Sequence, residues 1–318
     1  MSDQRATVVV TTLYRHSDLE QCLDAISRMD VVPDVTIVVA RAEDEVSHSV
    51  ARSRGASVVH VTVPGLAAAI EAALGAVNTE FVAFVDDDAR PHADWLARIT
   101  DHFRADSSLG FVGGRDNVHG DDVSGSVDLA VGRLVRGKLV GNHHLGKGVA
   151  RWAMHAKGAN MAYRAKAVQD LPLGALVRGT GAQHGNELFL GFAALKRGYT
   201  GLYDPLVQVD HYPAVRQLKD ERLNFSPERI DADIRNSAGA IGLYLGKWEW
   251  LLYLGRAFAI GDRNRPGLVW MAVHAARRSI SLTSSRAVFS AVVRAARDQP
   301  RLRAVAARDQ VLQLENDR

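Results

Sequence analysis

The chain has 318 residues, enough to bury a sizeable core as one large domain or two modest ones. Its composition, 47% hydrophobic and 24% charged, is that of a soluble globular protein and excludes a disordered or fibrous chain. The net charge of +3 gives no reason to expect a nucleic-acid partner, but from Ile230 onward 14 Lys/Arg stand against 8 Asp/Glu, so an acidic front precedes a basic tail. In chain order, ATVVVTT (Ala6–Thr12) reads as a buried first strand, followed by Leu19, Leu23 and Ile26 at helical spacing. Val35–Ala40 and Ser57–Val63 are the next strands, Pro64-Gly65 is a turn, and Leu66–Ala76 is an Ala-rich helix. FVAFV (Phe81–Val85) is a fourth strand running straight into Asp86-Asp87-Asp88, after which Pro91 and His92–Phe103 open another helix. Short strands alternating with helical segments imply βαβ units and a parallel sheet.

Between Gly110 and Gly148 the pattern loosens into Gly-, His- and Asp-rich loops around GFVGG, a composition that marks a binding region in an α/β domain. Patterning resumes at Lys157–Arg164, then a helix at Glu187–Arg197 and a strand at Gly201–Val209, followed by Asp210-His211-Tyr212-Pro213. Beyond Asp220 the chain reads as helical, with Arg-rich amphipathic segments at Leu268–Ile280 and Arg286–Ala307. The single cysteine, Cys22, excludes an intrachain disulfide and a zinc–thiolate site and fits a reducing cytosol. No signal peptide is read at the N-terminus. The best candidate membrane span, Ala238–Ile260, is broken by Lys247, Glu249 and Arg256.

Three adjacent carboxylates at a strand end repel one another unless a cation or donors compensate. In open α/β sheets that edge is where ligands bind, and hard oxygen ligands suit Mn²⁺ or Mg²⁺. The competing reading is a solvated acidic turn or a helix N-cap ahead of Pro91. Gly113-Gly114-Arg115-Asp116 would bring backbone close to a sugar, with Arg115 and Asp116 bonding its hydroxyls, or it is a tight turn with a local ion pair. The pair His143-His144 is read as part of a loop near the acceptor.

TTLYR, PGLAAAIEAAL, FVAFVDDDARPHADWL, GFVGGRD, KGANMAYR and the stretch from Asn186-Glu187 to LYDPLVQVDHYP occur in an order that resembles the family 2 glycosyltransferases with the GT-A fold. The resemblance covers roughly Ala6 to Pro213. It implies a Rossmann-like mixed α/β sheet with flanking helices at 1–220, a nucleotide-binding half at 1–115 and an acceptor and catalytic half at 116–220. A helical C-terminal extension at 221–318 completes the chain.

The resemblance also implies inverting transfer from a nucleotide-sugar, UDP-, GDP- or dTDP-linked, to a hydroxyl acceptor, whether glycan, lipid-linked or small molecule. Asp86 and Asp88 match the carboxylates of an Asp-x-Asp motif around the metal, with Asp87 between them and His211 completing the site. Thr11, Thr12, Tyr14 and Arg15 match the nucleotide-holding segment, and Asn160 a donor hydroxyl contact. Glu187 matches the general base of an acidic pair whose first member is here Asn186. The acidic residue that often contacts uracil is displaced, leaving Glu43 or Asp44 as substitutes, and Ile70 stands near a position often held by Arg. Two alternatives are a non-catalytic nucleotide-sugar binder and a sugar-nucleotide pyrophosphorylase, although TTLYRHSD lacks the Gly-rich basic loop of the latter.

The basic C-terminal helices have two readings, a solvated face over a core or a contact with anionic lipid at the inner face of a membrane. Core packing with weak membrane contact is the expectation, with Val288, Val292 and Ala296 as the inward stripe. Trp248, Trp250 and Tyr253 are either interface anchors or buried.

Overall fold

The computed structural model describes residues 5–120, 125–179, 181–213, 226–276 and 282–316. The boundary expected at 220/221 and the last residues of the expected Leu268–Ile280 helix lie outside the described residues. Four parallel strands, β1 (Ala6–Thr11), β2 (Val35–Arg41), β3 (Ser57–Val61) and β4 (Phe81–Asp86), pair in the order β3-β2-β1-β4. Helices α1 (His16–Ser27), α2 (Glu45–Ser53) and α3 (Leu66–Ala76) connect them.

Helix α2 has no counterpart in the sequence reading. Its segment EVSHSVARS carries little apolar periodicity and buries only Ser47, His48 and Ala51. What starts it is Asp44, whose side chain accepts from the Ser47 backbone N–H at 3.2 Å, an N-cap rather than a hydrophobic signal.

The sheet then becomes mixed. β5 (Ala89–Pro91) is a three-residue strand, so the helix expected to open at Pro91 starts later, as α4 (Trp95–Ala105). β6 (Leu109–Val118) extends well beyond the GFVGG run, and the hairpin β7 (Arg133–Val135) and β8 (Lys138–Val140) stands apart as its own small sheet. β9 (Arg151–Trp152) is followed by β10 (Met161–Arg164), which lies antiparallel between β4 and β6. The short helices α5 (Ala165–Val168) and α6 (Leu173–Leu176) lead to α7 (Asn186–Lys196). β11 (Thr200–His211) then runs parallel to β6 and antiparallel to β5.

Alternation along the strands divides the core into two layers. Val8, Val10, Phe81, Ala83 and Val85 pack with Leu19 and Ile26 of α1 and Trp95, Ile99 and Phe103 of α4. Val9, Val82 and Phe84 pack on the other face with Ile70 of α3 and Phe189 of α7.

The C-terminal helices join this second layer. α8 (Pro227–Tyr244) begins at Ser226, whose hydroxyl accepts from the Arg229 N–H at 3.2 Å, with Pro227 in its first turn. It buries Ile230, Ile234, Ala238 and Ile241. At Gly239 the missing side chain lets Leu302 and Phe189 close over the helix, since a Cβ there would come within 2.9 Å of Leu302 and 3.3 Å of Phe189.

After α9 (Lys247–Ala259) and α10 (Leu268–Ala276), α11 (Leu282–Asn316) returns across α8. Its inward face is Ala287, Val288, Ala291, Ala295 and Leu302. The expected stripe is therefore rotated: Val292 is half-buried and Ala296 is exposed. The rotation lets Asp298 reach Arg178 and Arg235, both at 2.7 Å. Of the aromatic residues of α9, Tyr253 is buried, Trp250 half-buried and Trp248 exposed. No helix among the described residues is long and apolar enough to cross a membrane.

Phe189→Ala removes a fully buried ring at the junction of α7, α8 and α11. It is expected to lower stability by about 3–5 kcal/mol in urea denaturation, with one transition followed by both sheet and helix signals.

Candidate active site

The acidic triplet sits where β4 ends and turns into β5. Asp86 is the last residue of β4, abreast of Thr11 on β1, and Asp87 and Asp88 form the turn. Because β5 pairs with β11 in the register His211↔Ala89, the imidazole is brought back against the turn, and the Tyr212 N–H donates to Asp88 O at 2.8 Å. His211 thus ends the strand instead of following it. Its Nε2 lies 3.2 Å from Asp88 Oδ1, and one ligand atom from each of Asp86, Asp88 and His211 falls within 4.8 Å of the others.

Asp87 and Asp88 are buried and Asp86 is half-buried. Desolvation, with Asp88 alongside, raises the Asp86 carboxyl above the usual range, while His211 and Arg15 pull the other way. Burial pushes Asp87 up to about 7 against the opposing Arg15 guanidinium. Arg15, read from sequence as a nucleotide contact, spends its side chain on these carboxylates. Nε donates to Asp87 Oδ2 at 2.9 Å, a terminal amine to Asp88 Oδ2 at 2.8 Å, and the other contacts Asp87 Oδ1.

The triad suits a divalent cation on chemical grounds. Two carboxylates and an imidazole are an acceptable donor set for Mn²⁺ or Mg²⁺. Nδ1 of His211 is buried without a hydrogen-bond partner while Nε2 faces the Asp88 carboxylate, and a buried unpartnered ring nitrogen costs free energy unless a ligand engages it.

A second cluster gathers around α7. Gly185, in the left-handed region at φ 90°, precedes the helix, and Glu187 lies in its first turn, half-buried. Asn186 is buried and its amide donates to Ala182 O at 3.3 Å and Gln183 O at 3.0 Å. A carboxylate cannot donate these bonds, which gives the amide at this position a local reason. Burial raises the Glu187 carboxyl above its usual range, and backbone donors and Lys157 oppose the shift. Lys157 donates from Nζ to Asp116 at 2.8 Å, an ion pair to a buried carboxylate. Sequence reading named Lys157 only as part of its segment; its pairing depends on the tight turn in which Lys157 bridges to Asn160.

Tyr14 and Glu43 form an open rim. Tyr14, at φ 53°, donates its hydroxyl to Glu43 Oε1 at 3.0 Å, and Arg41 Nε donates to the same oxygen at 3.0 Å. Asp44, the alternative to Glu43, is buried and committed to Ser47, the Tyr14 N–H and His16. Thr12 is buried beside Asp87.

Other sequence candidates turn inward. Asn160 is buried: its Nδ2 donates to Val207 O at 2.9 Å and Arg115 O at 3.1 Å, and its Oδ1 accepts from Trp95 Nε1 at 2.9 Å. The close approach that Gly114 permits is likewise to protein, since a Cβ there would meet Val207 O at 2.0 Å. Arg115 is half-buried, abreast of Gln208. His143 lies in the core instead of an open loop, its Nε2 3.1 Å from His155 O, and burial holds its pKa well below the ordinary imidazole value.

Residues 4–226 match the model of the family described as "Glycosyltransferase like family 2". The chain belongs to that family. It is a glycosyltransferase, and its similarity to solved structures extends to the GT-A fold. It superposes on the mannosyltransferase PcManGT from Pyrobaculum calidifontis, in complex with GDP-Man and Mn²⁺, with TM-score 0.55 and 21% identity over 93% of this chain and 86% of that one. Glucosyl-3-phosphoglycerate synthase from Mycobacterium tuberculosis, in complex with Mn²⁺, UDP and glucosyl-3-phosphoglycerate, gives 0.50 and 17% over 77% and 82%. GalNAc-T7 with UDP, GalNAc and Mn²⁺ gives 0.60 and 13% over 88% and 58%. No curated protein matches significantly. Identities this low carry the fold alone.

Arg15→Met leaves two buried carboxylates without their guanidinium. Stability at neutral pH is expected to fall by about 3 kcal/mol in urea denaturation. The loss shrinks as pH drops and the carboxyls take up protons.

Proposed function

We propose that this glycosyltransferase inverts the anomeric configuration as it moves a sugar from a nucleoside-diphosphate donor to a hydroxyl acceptor. The observation that carries the reading is the Asp86/Asp88/His211 triad, on the same sheet as Asp116, whose Lys157 partner opposes the shift of Glu187. Asp86, Asp88 and His211 would hold Mn²⁺ or Mg²⁺, which when bound supplies positive charge to the departing diphosphate. Tyr14 and Glu43, with Thr11 and Thr12 behind them, flank the nucleobase and ribose. Asp116 and Arg115 face the donor sugar, and Arg15 keeps Asp87 and Asp88 in place instead of touching the nucleotide. The nucleobase is that of a UDP-, GDP- or dTDP-linked donor. In the same proposal, 1–220 is the catalytic unit and 221–318 an extension packed onto it.

Glu187 is the general base. Its carboxylate takes the proton of the acceptor hydroxyl as that oxygen bonds to the anomeric carbon, and the broken carbon–oxygen bond leaves its electron pair on the diphosphate. A base must be ionised to act, so the raised carboxyl places the acid limb of kcat/KM above the range of an ordinary glutamate.

Two substitutions check this. Glu187→Gln is expected to lower kcat by about 10²–10⁴-fold and to abolish the acid limb. Lys157→Met removes a positive charge that favours the ionised carboxylate, so the acid limb moves to higher pH. An unchanged limb in both variants assigns the base elsewhere.

A further inference from the structure

We propose that the α9–α10 face, with the tip of the β7–β8 hairpin, docks on an anionic lipid surface. Helix α9 is amphipathic in both directions. Trp250, Tyr253 and Leu254 turn to the core, while Trp248, Leu251 and Leu252 recur at helical spacing on the side facing solvent, and Phe258, still part-exposed, leans on Phe289 of α11. Trp248 is 74% exposed and Leu252 56%. The following helix continues the pattern: α10 (LVWMAVHAA) is apolar except for His274 yet has no buried residue, with Leu268 43% and Val269 52% exposed. Exposed apolar side chains that recur along two successive helices mark an interaction site more than a single surface leucine does.

The charge around this face selects the partner. Lys247 begins α9 and Arg256 lies in its last turn, against one carboxylate, Glu249. The hairpin adds two more cations. Gly137, at φ 75°, lets its backbone approach α9 so closely that a Cβ would lie 2.5 Å from Leu252 O. That contact seats the exposed Arg136 and Lys138 beside the exposed Leu252.

A second copy meeting this face across a two-fold axis would bring like charges together. An anionic bilayer satisfies both parts: the leucines, Trp248 and Phe258 enter the headgroup–acyl boundary, and the cations meet phosphate. No helix among the described residues is suited to spanning, so the contact is interfacial. Helix α11 adds little to this surface, because it turns its apolar side into the core. The surface is independent of the catalytic assignment, and its test does not use activity.

The test is co-sedimentation of the full chain with vesicles of phosphatidylcholine alone or containing phosphatidylglycerol, at low and high salt. Wild-type protein is expected to pellet with the anionic vesicles and to be released by salt. Trp248→Glu with Leu252→Glu, both at exposed positions and so without effect on the melting curve, should weaken binding roughly tenfold or more. Arg136→Glu with Lys138→Glu should remove the preference for phosphatidylglycerol by a similar factor. Wild-type protein staying in the supernatant with both vesicle types overturns the proposal, as does unchanged binding in both double variants. A dimer in sedimentation velocity that Trp248→Glu splits, without vesicle binding, assigns the face to a second copy and overturns it equally.

Discussion

The structure depends on holding three adjacent carboxylates at the carboxyl end of β4, inside an open mixed sheet. At ~4 Å separation, two like charges near a protein surface repel by about 4 kcal/mol at an effective dielectric of 20. Asp86 and Asp88 place oxygens within 4.8 Å of each other, and Asp87 and Asp88 are removed from water. Arg15 offsets part of this by engaging both buried carboxylates directly and Asp86 through its charge, and the His211 imidazole stands 3.2 Å from Asp88 Oδ1. A divalent cation held by Asp86, Asp88 and His211 would offset the repulsion further, and two carboxylates with an imidazole are a donor set suited to one.

Topology determines which residues share that end of the sheet. A purely parallel sheet would leave β11 distant from the end of β4. The three-residue strand β5 folds the chain after the triplet onto β11 and sets the register that aligns His211 with Ala89. The antiparallel insertion of β10 between β4 and β6 does the equivalent for the second cluster, carrying the Lys157 turn in beside Asp116. Two short irregular pairings therefore join residues that are far apart in the chain.

Much of the scaffold was legible from sequence because the relevant signals are local. The bounds of α3 and the first residues of the first four strands follow from an Ala-rich period and β-branched runs, while the strand ends differ by one or two residues. Helix α2 was not, since its start rests on the Asp44 cap and its polar face offers no period. β5 escaped because its partner is 120 residues away and its Pro91 reads as a helix opener. At the site, Asp86, Asp88 and His211 are recognisable by type and order. The destinations of Arg15, Asn160 and His143 are not, because whether a polar side chain faces a cleft or a neighbouring backbone depends on tertiary contacts. Asn160, a reasonable hydroxyl partner by type, is consumed by Val207, Arg115 and Trp95.

The claim that Asp86, Asp88 and His211 hold a divalent cation for a nucleoside diphosphate is tested most directly by thermal shift. UDP and GDP are each titrated with and without Mn²⁺ on wild type and Asp88→Ala. The account predicts a rise in melting temperature for at least one nucleotide that requires Mn²⁺, corresponding to about 2.7 kcal/mol when ligand reaches a hundred times its Kd, and its disappearance in Asp88→Ala. An equal rise in the variant, or a nucleotide-dependent rise that ignores Mn²⁺, would contradict it.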